Sequence, residues 1–375
     1  MHYRFFLPLA LLTVLLLGCS GDPVIEIDDE SDAGEDESDA GEEVGLYDFE
    51  AAAPWYECED VPTGDDVVEV EAMSQVHQYF GDEDRRTVEE TVEFPDGDWA
   101  QVGLVLELEC PDGAACDHWD RIGSLQLVTN RSAGEEEQEE IELLRHITPY
   151  RMGMCQFVDI TDLAGLLSGE KLLRSFIDTW VGPGHDEGEG WLVSARFVFA
   201  PQPDDNAEAG EVEVINVWGR RNITVGELDS DSDIDSQIEP FSFELAGVDE
   251  EISRVEAHLT TTGHSFGNTL NCAEFCEMRH DLIVNDTAFS TNPWRGDCAD
   301  NPVSPQSGTW QHNRNGWCPG AVAVGDRIDI TDAIESGENT LDFDILLANG
   351  EPYDNTSPVD LLPYTVVALK LYVYR

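Results

Sequence analysis

Nine cysteines are present, and eight of them fall into an arrangement that limits the folds open to this chain more than any other feature. Cys110 and Cys116 are close in sequence, as are Cys272 and Cys276, and Cys298 and Cys318 lie one loop apart. Spacing pairs these three sets, and elimination pairs Cys58 with Cys155. An even cysteine number in an exported chain implies a disulfide framework. The spacings are not those of a zinc ribbon or finger, so no metal is expected. An acid lies at each short crosslink: Asp120 follows Cys116 within Trp119-Asp120-Arg121, and Glu274 sits between Cys272 and Cys276. A carboxylate pinned this close to a crosslink has little freedom to relax, and catalysis rewards fixed placement.

Export is written at the N-terminus. Arg4 precedes an apolar run from Phe5 to Leu17, too short to span a bilayer, which reads as a secretory signal. Leu16-Leu17-Gly18-Cys19 fits a bacterial lipobox, making residues 1–19 a lipoprotein signal with Cys19 as the lipidated residue. The expected location is the bacterial outer membrane or cell surface, with membrane contact through that anchor alone. Residues 20–64 are mostly acidic low-complexity sequence, with the near repeat Glu30–Glu35 and Glu37–Glu42, and read as a disordered tether.

A formal charge of −60 repels nucleic acid, which is excluded as a partner. It leaves a neutral ligand open.

Beyond Asp65 the sequence breaks into short alternating or β-branched runs, among them 102–108, 191–199, 254–260, 341–347 and 364–374, separated by turn residues. This spacing predicts an all-β chain of antiparallel sandwiches. Roughly 300 residues are too many for one sandwich and comfortable for two. An echo supports duplication: Asp159-Ile160-Thr161-Asp162 and Asp329-Ile330-Thr331-Asp332 are each followed by Ser-Gly-Glu, and Thr or Asp is placed to cap one helical turn. The expected domains are 65–220 and 221–375, divided near the 201–209 linker or shortly after it.

Taken in order, the motifs Cys116-Asp117-His118-Trp119-Asp120-Arg121, Ile147-Thr148-Pro149-Tyr150, Thr179-Trp180, Gly263-His264, Cys272-Ala273-Glu274-Phe275-Cys276 and Arg314-Asn315-Gly316-Trp317-Cys318-Pro319-Gly320 closely resemble the peptide-N-glycosidase F family over roughly residues 70 to 375. The resemblance implies two eight-stranded antiparallel jelly rolls side by side. It also implies hydrolysis of the amide joining asparagine to the first N-acetylglucosamine of an N-linked glycan. Partners would be N-glycosylated peptides and glycoproteins, with no cofactor and no metal, and the chain is expected to be a monomer.

Asp120 matches the family's essential aspartate, and Glu274 a second acid working through water and the first sugar. A base or nucleophile near the carbonyl and a proton for the departing nitrogen are what amide hydrolysis needs. Arg121 beside Asp120 is expected to keep that acid ionised. Arg314 matches an arginine beside the glutamate. Asp178 stands where the family has glutamate, shortening the reach by one methylene. Trp180, Trp317 and Trp119 are candidates for flat sugar-binding faces; Ile147 and His264 match positions lining or bracing the site. The family's tryptophan before Gly-His is replaced, since Thr261 and Thr262 precede Gly263.

Two other readings compete. One is a glycan-binding lipoprotein without turnover, kept open by Asp178 and the absent tryptophan. The other is a copper-dependent paired jelly roll, disfavoured because the nine histidines are scattered singly.

Overall fold

The structure is a computed structural model, and it describes residues 58, 61–130, 138–201, 212–226, 234–248, 252–357 and 362–375. The Cys19 lipid site, the signal and nearly all of the 20–64 tether lie outside the described residues.

The first sandwich comprises β1 (Val68–Gln78), β2 (Thr87–Phe94), β3 (Trp99–Glu109), β4 (Ile122–Thr129), β5 (Glu139–Ile147), β6 (Met154–Asp159), β7 (Gly169–Ile177) and β8 (Trp191–Pro201). One sheet runs β1-β8-β3-β6 and the facing sheet β5-β4-β7-β2, every pair antiparallel. Alternation explains the layering. Along β7, Leu173, Ser175 and Ile177 are buried while Arg174, Phe176 and Asp178 take the opposite face. The core gathers Trp191, Phe197, Phe199, Leu104, Leu106 and Leu125.

The second sandwich repeats the plan with β9 (Val212–Thr224), β10 (Phe241–Leu245), β11 (Arg254–His264), β12 (Met278–Val284), β13 (Thr287–Thr291), β17 (Asp326–Asp329), β18 (Gly337–Leu347) and β19 (Tyr364–Tyr374). Its sheets are β17-β11-β19-β9 and β10-β18-β12-β13. Both halves thus have the eight-strand jelly-roll order, as expected. The short strands β14 (Trp294–Arg295), β15 (Arg314–Asn315) and β16 (Ala321–Val322) are insertions between β13 and β17. The expected 220/221 division falls inside β9, whose partner is β19.

The Asp-Ile-Thr-Asp echo marks one device used twice. In each copy the first aspartate accepts from the threonine two residues on, Asp159 from Thr161 N at 2.9 Å and Asp329 from Thr331 N at 3.0 Å. Each threonine Oγ1 then accepts from a strand amide, Val102 N at 3.0 Å and Val255 N at 2.9 Å. The turns are 3-10 and not α, over Thr161–Leu166 and Thr331–Ala333, and the residue at the cap is isoleucine with no side-chain bond. The aspartate therefore works one position earlier than a helix cap, as an Asx turn.

Three cysteine pairs are bonded as spacing predicts, 110–116, 272–276 and 298–318, and the fourth, 58–155, as elimination predicts.

The outer face of β5 meets the second sandwich through polar groups. Arg145, fully buried, pairs with Glu142 at 3.0 Å and donates to Thr260 O at 3.3 Å, Thr262 Oγ1 at 3.3 Å and Val366 O at 2.6 Å. Lys370, one of only two lysines, is buried here and donates to Glu142 O at 2.5 Å. A cavity of 70 Å³ beside these groups is large enough for ordered water. β16 completes the junction by adding to β5, with Ala321 opposite Ile147 and Val322 opposite His146. These contacts fix the two sandwiches relative to each other, which is what a site shared between them requires.

Candidate active site

Asp120 lies in the loop entering β4, and Glu274 in the disulfide loop after β11, so they come from different sandwiches. One side chain joins them. Arg314, wholly buried on β15, places Nη2 3.7 Å from Asp120 Oδ2 and Nε 3.3 Å from Glu274 Oε1. Its remaining donors go to Thr309 Oγ1 at 2.9 Å and His312 O at 2.5 Å. The guanidinium also lies against the rings of Trp317, at 4.7 Å, and Phe275, at 5.0 Å. An arginine fork can hold two carboxylates in this way and a lysine cannot.

Local sequence explains the placement. Asn315, next to Arg314, donates its backbone N–H to Glu274 O at 3.1 Å and its side-chain amide to the Ala273 and Cys276 carbonyls, gripping the acid's loop from below. Gly263 and Gly316 are glycines because backbone comes too close for anything larger. A Cβ at Gly263 would meet Ala273 O at 2.2 Å, and one at Gly316 would meet Thr261 O at 2.0 Å. Gly316 also has φ +79°.

Tyr150 is the residue the sequence quotes without assigning. Its hydroxyl donates to Asp120 Oδ2 at 2.7 Å and sits 3.2 Å from Thr309 Oγ1. Its position in Ile147-Thr148-Pro149-Tyr150, directly after a strand of the domain interface, was a signal for it; Thr309 had none.

Arg121 favours the ionised form of Asp120 only at a distance, because its direct partner is another acid. Its Nε bonds Asp117 Oδ2 at 2.7 Å, while Asp117 also accepts from Thr179 Oγ1 at 2.7 Å and Trp119 N at 3.1 Å. Asp117 is fully buried and anchors the whole loop. Two acids three apart share one candidate cation in sequence, and the buried one takes it. Burial raises the Asp120 carboxyl above the usual range, against the Tyr150 hydrogen bond, the Arg314 charge and, more weakly, the charge of Arg121.

Glu274 moves the same way. Desolvation pushes it up to about 7, opposed by Arg314 and assisted by the Asp120 charge. A folded carboxyl raised above its free value of 4.5 retains a proton that the unfolded chain has released. Its stabilising contribution is therefore complete below pH 4.5 and lost as pH rises through about 7. Wild type is expected to lose roughly 3 kcal/mol more than Glu274→Gln across that window. Denaturant titrations at several pH values measure this, and parallel curves for the two proteins would contradict it.

The remaining candidates divide. Asp178 is about one-third exposed and stands 3.6 Å from Arg86, which lies over the Trp180 ring at 4.5 Å and the Phe80 ring at 4.8 Å. It makes no direct contact with Asp120, Glu274 or Arg314 among the described residues, although the Tyr364 hydroxyl, raised chiefly by burial, also feels the charges of both Asp178 and Glu274. Trp119 and Trp180 are each 51% exposed, as flat platforms must be. Trp317 is not: it is 3% exposed, donates Nε1 to Gly263 O at 2.7 Å and supports Arg314 from beneath. His264 is buried between the Trp317 and Tyr364 rings, bonds Thr262 Oγ1 at 3.0 Å and is driven down to about 3 by burial, so it braces as a neutral ring. Ile147 is buried in the β5–β16 junction, and its carbonyl accepts from Gly320 N at 2.9 Å. Thr262, just before Gly263-His264, is committed to Arg145 and His264.

A family model, "Peptide-N-glycosidase F, C terminal", matches residues 232–359. The chain is 29% identical over 288 residues to peptide-N(4)-(N-acetyl-β-D-glucosaminyl)asparagine amidase F of Elizabethkingia miricola, covering 71% of this chain and 73% of that protein. Among solved structures, recombinant peptide:N-glycanase F superposes with a TM-score of 0.66 at 21% identity, covering 83% of this chain and 96% of that one. PNGase F, a glycosylasparaginase from Flavobacterium meningosepticum, gives 0.65 at 21% identity with the same coverage. These last two likenesses concern the fold.

Proposed function

We propose that this chain, which matches a peptide-N-glycosidase F family model over residues 232–359 and is 29% identical to asparagine amidase F over 288 residues, is an N-glycanase-like amidase that releases whole N-linked glycans by cleaving the amide between asparagine and the first N-acetylglucosamine. The observation that carries this reading is the single Arg314 guanidinium holding Asp120 and Glu274 from separate sandwiches.

In this reading Asp120 serves as base toward water, or as nucleophile, at the amide carbon. Arg314 and the Tyr150 hydroxyl oppose the burial that would neutralise it. A hydroxyl adds to the carbon, the C–N bond breaks, and the nitrogen takes a proton. Glu274, with its carboxyl raised to about 7, is partly protonated near neutrality and suits the role of acid toward that nitrogen or its bridging water. Trp180 and Trp119 offer faces for the sugar, and Asp178, held by Arg86, borders it through water. Substrates are N-glycosylated peptides and proteins. The disulfides agree with an exported protein, and we assign Cys19 as its lipid anchor.

The test uses the chain from Asp65 onward plus Cys58 and its flanks, incubated with a denatured N-glycopeptide. Free glycan in the supernatant is the expected result. Glycopeptide retained on the protein with no free glycan would replace the enzyme reading by a binding lipoprotein.

A further inference from the structure

A cleft of 400 Å³ lies between the outer face of the first sandwich and β9 of the second, within the usual size range of small-molecule sites. Its floor is Arg174 and Phe176 on β7, flanked by Thr87 on β2, Gln126 on β4 and Glu140 on β5. Arg220 closes it from β9, its guanidinium 4.4 Å from the Phe176 ring centre. Asp178 continues the same β7 face, so the cleft begins about 7 Å from Asp178 at Phe176 and extends to about 13 Å at Arg174.

Charges in the cleft cancel, but hydrogen bonds do not. Arg174 pairs with both Glu89 and Glu140. Arg220 has no ion pair or hydrogen bond among the described residues, and burial, with Arg145 nearby, lowers its affinity for a proton against the opposing charges of Glu142, Glu140 and Asp178. Gln126 is buried, 1% exposed, and its Nε2 has no partner. Two donors without a hydrogen bond among the described residues therefore border one cavity, the Gln126 amide from within its wall and Arg220 from β9, beside carboxylate acceptors on Glu89 and Glu140. A carboxylate or sulfate ligand would meet those glutamates; a neutral polyol would satisfy both kinds of group.

We propose that this cleft is a distal glycan subsite that takes an uncharged pyranose. Hydroxyl oxygens of the sugar accept from Arg220 and Gln126, and its hydroxyl hydrogens go to Glu140 and Glu89. Its distance from Asp178 corresponds to the next one or two sugars of a chain already seated on Trp180. The origin of that sugar rests on the amidase reading; the binding chemistry does not.

Calorimetric titration of the wild-type protein with two free sugars tests the subsite without turnover: a mannose-rich N-glycan oligosaccharide and chitobiose. The oligosaccharide is expected to bind about tenfold tighter than chitobiose. Arg220→Met removes the donors and keeps the packing on Phe176, and Thr87→Trp fills the exposed mouth. Each is expected to bring the oligosaccharide down to the affinity of chitobiose and to leave chitobiose unchanged. Variants that bind the oligosaccharide like wild type overturn the subsite. So does a sialylated oligosaccharide that binds tighter than the neutral one through Arg220. Binding that follows the expectation in a protein releasing no glycan would retain the subsite and remove the amidase.

Discussion

Asp120→Asn is expected to reduce glycan release by about 10³-fold or more while moving the melting temperature by less than about 2 °C. The two outcomes have one cause. Asp120 is a buried carboxyl whose ionised form burial disfavours and which Tyr150 and Arg314 chiefly favour, with a smaller pull from Arg121. Asparagine removes the charge and its desolvation cost. It still offers an oxygen to the Tyr150 hydroxyl, so no buried donor is orphaned. What is lost is the lone pair that takes a proton from water or attacks the amide carbon. Initial rates on a glycopeptide together with a thermal melt check this. A variant that unfolds early would make Asp120 a structural anchor, the part that Asp117 plays beside it.

Arg314→Met is expected to lose both activity and stability, by about 3–5 kcal/mol of folding free energy, or on the order of 10 °C. Arg314 is wholly buried and compensates two carboxyls already raised by burial. Methionine keeps much of the volume against Trp317 and Phe275 but leaves both acids without a counter-charge. Each then holds its proton to higher pH, so residual activity should appear only in more alkaline buffer. Arg314→Lys should rescue little, since one ammonium cannot reach both Asp120 and Glu274. Chemical denaturation and a pH–rate series on both variants measure these effects. Wild-type stability in Arg314→Met would mean that the acids are not held by this residue.

Much of this was legible in the chain because covalent and periodic signals are local. The cysteine spacings give three disulfides and elimination the fourth, and alternation in runs such as 191–199 and 364–374 gives the antiparallel sandwiches. The Asp-Ile-Thr-Asp echo locates the same turn in both halves because an Asx turn needs only neighbours. Partnership across the domain interface was not legible. Sequence adjacency assigned Arg121 to Asp120, whereas the fold gives Arg121 to Asp117 and supplies Arg314 from the other sandwich. Trp317 carries the same aromatic face as Trp180, and only burial separates the enclosed ring from the exposed one. Tyr150 and Thr309 become site residues solely through contacts made at long sequence separation. Motifs name the residues, while the interface decides which of them touch.

The bond that breaks is the most direct test. After wild-type protein acts on a denatured N-glycopeptide, mass spectrometry of the peptide should show aspartate at the former attachment site, with the glycan released whole. Peptide that keeps asparagine bearing one N-acetylglucosamine would mean that a bond between sugars was cut, and an unaltered glycopeptide would mean that none was. Either result would contradict a site in which Asp120, Glu274 and Arg314 converge on the amide.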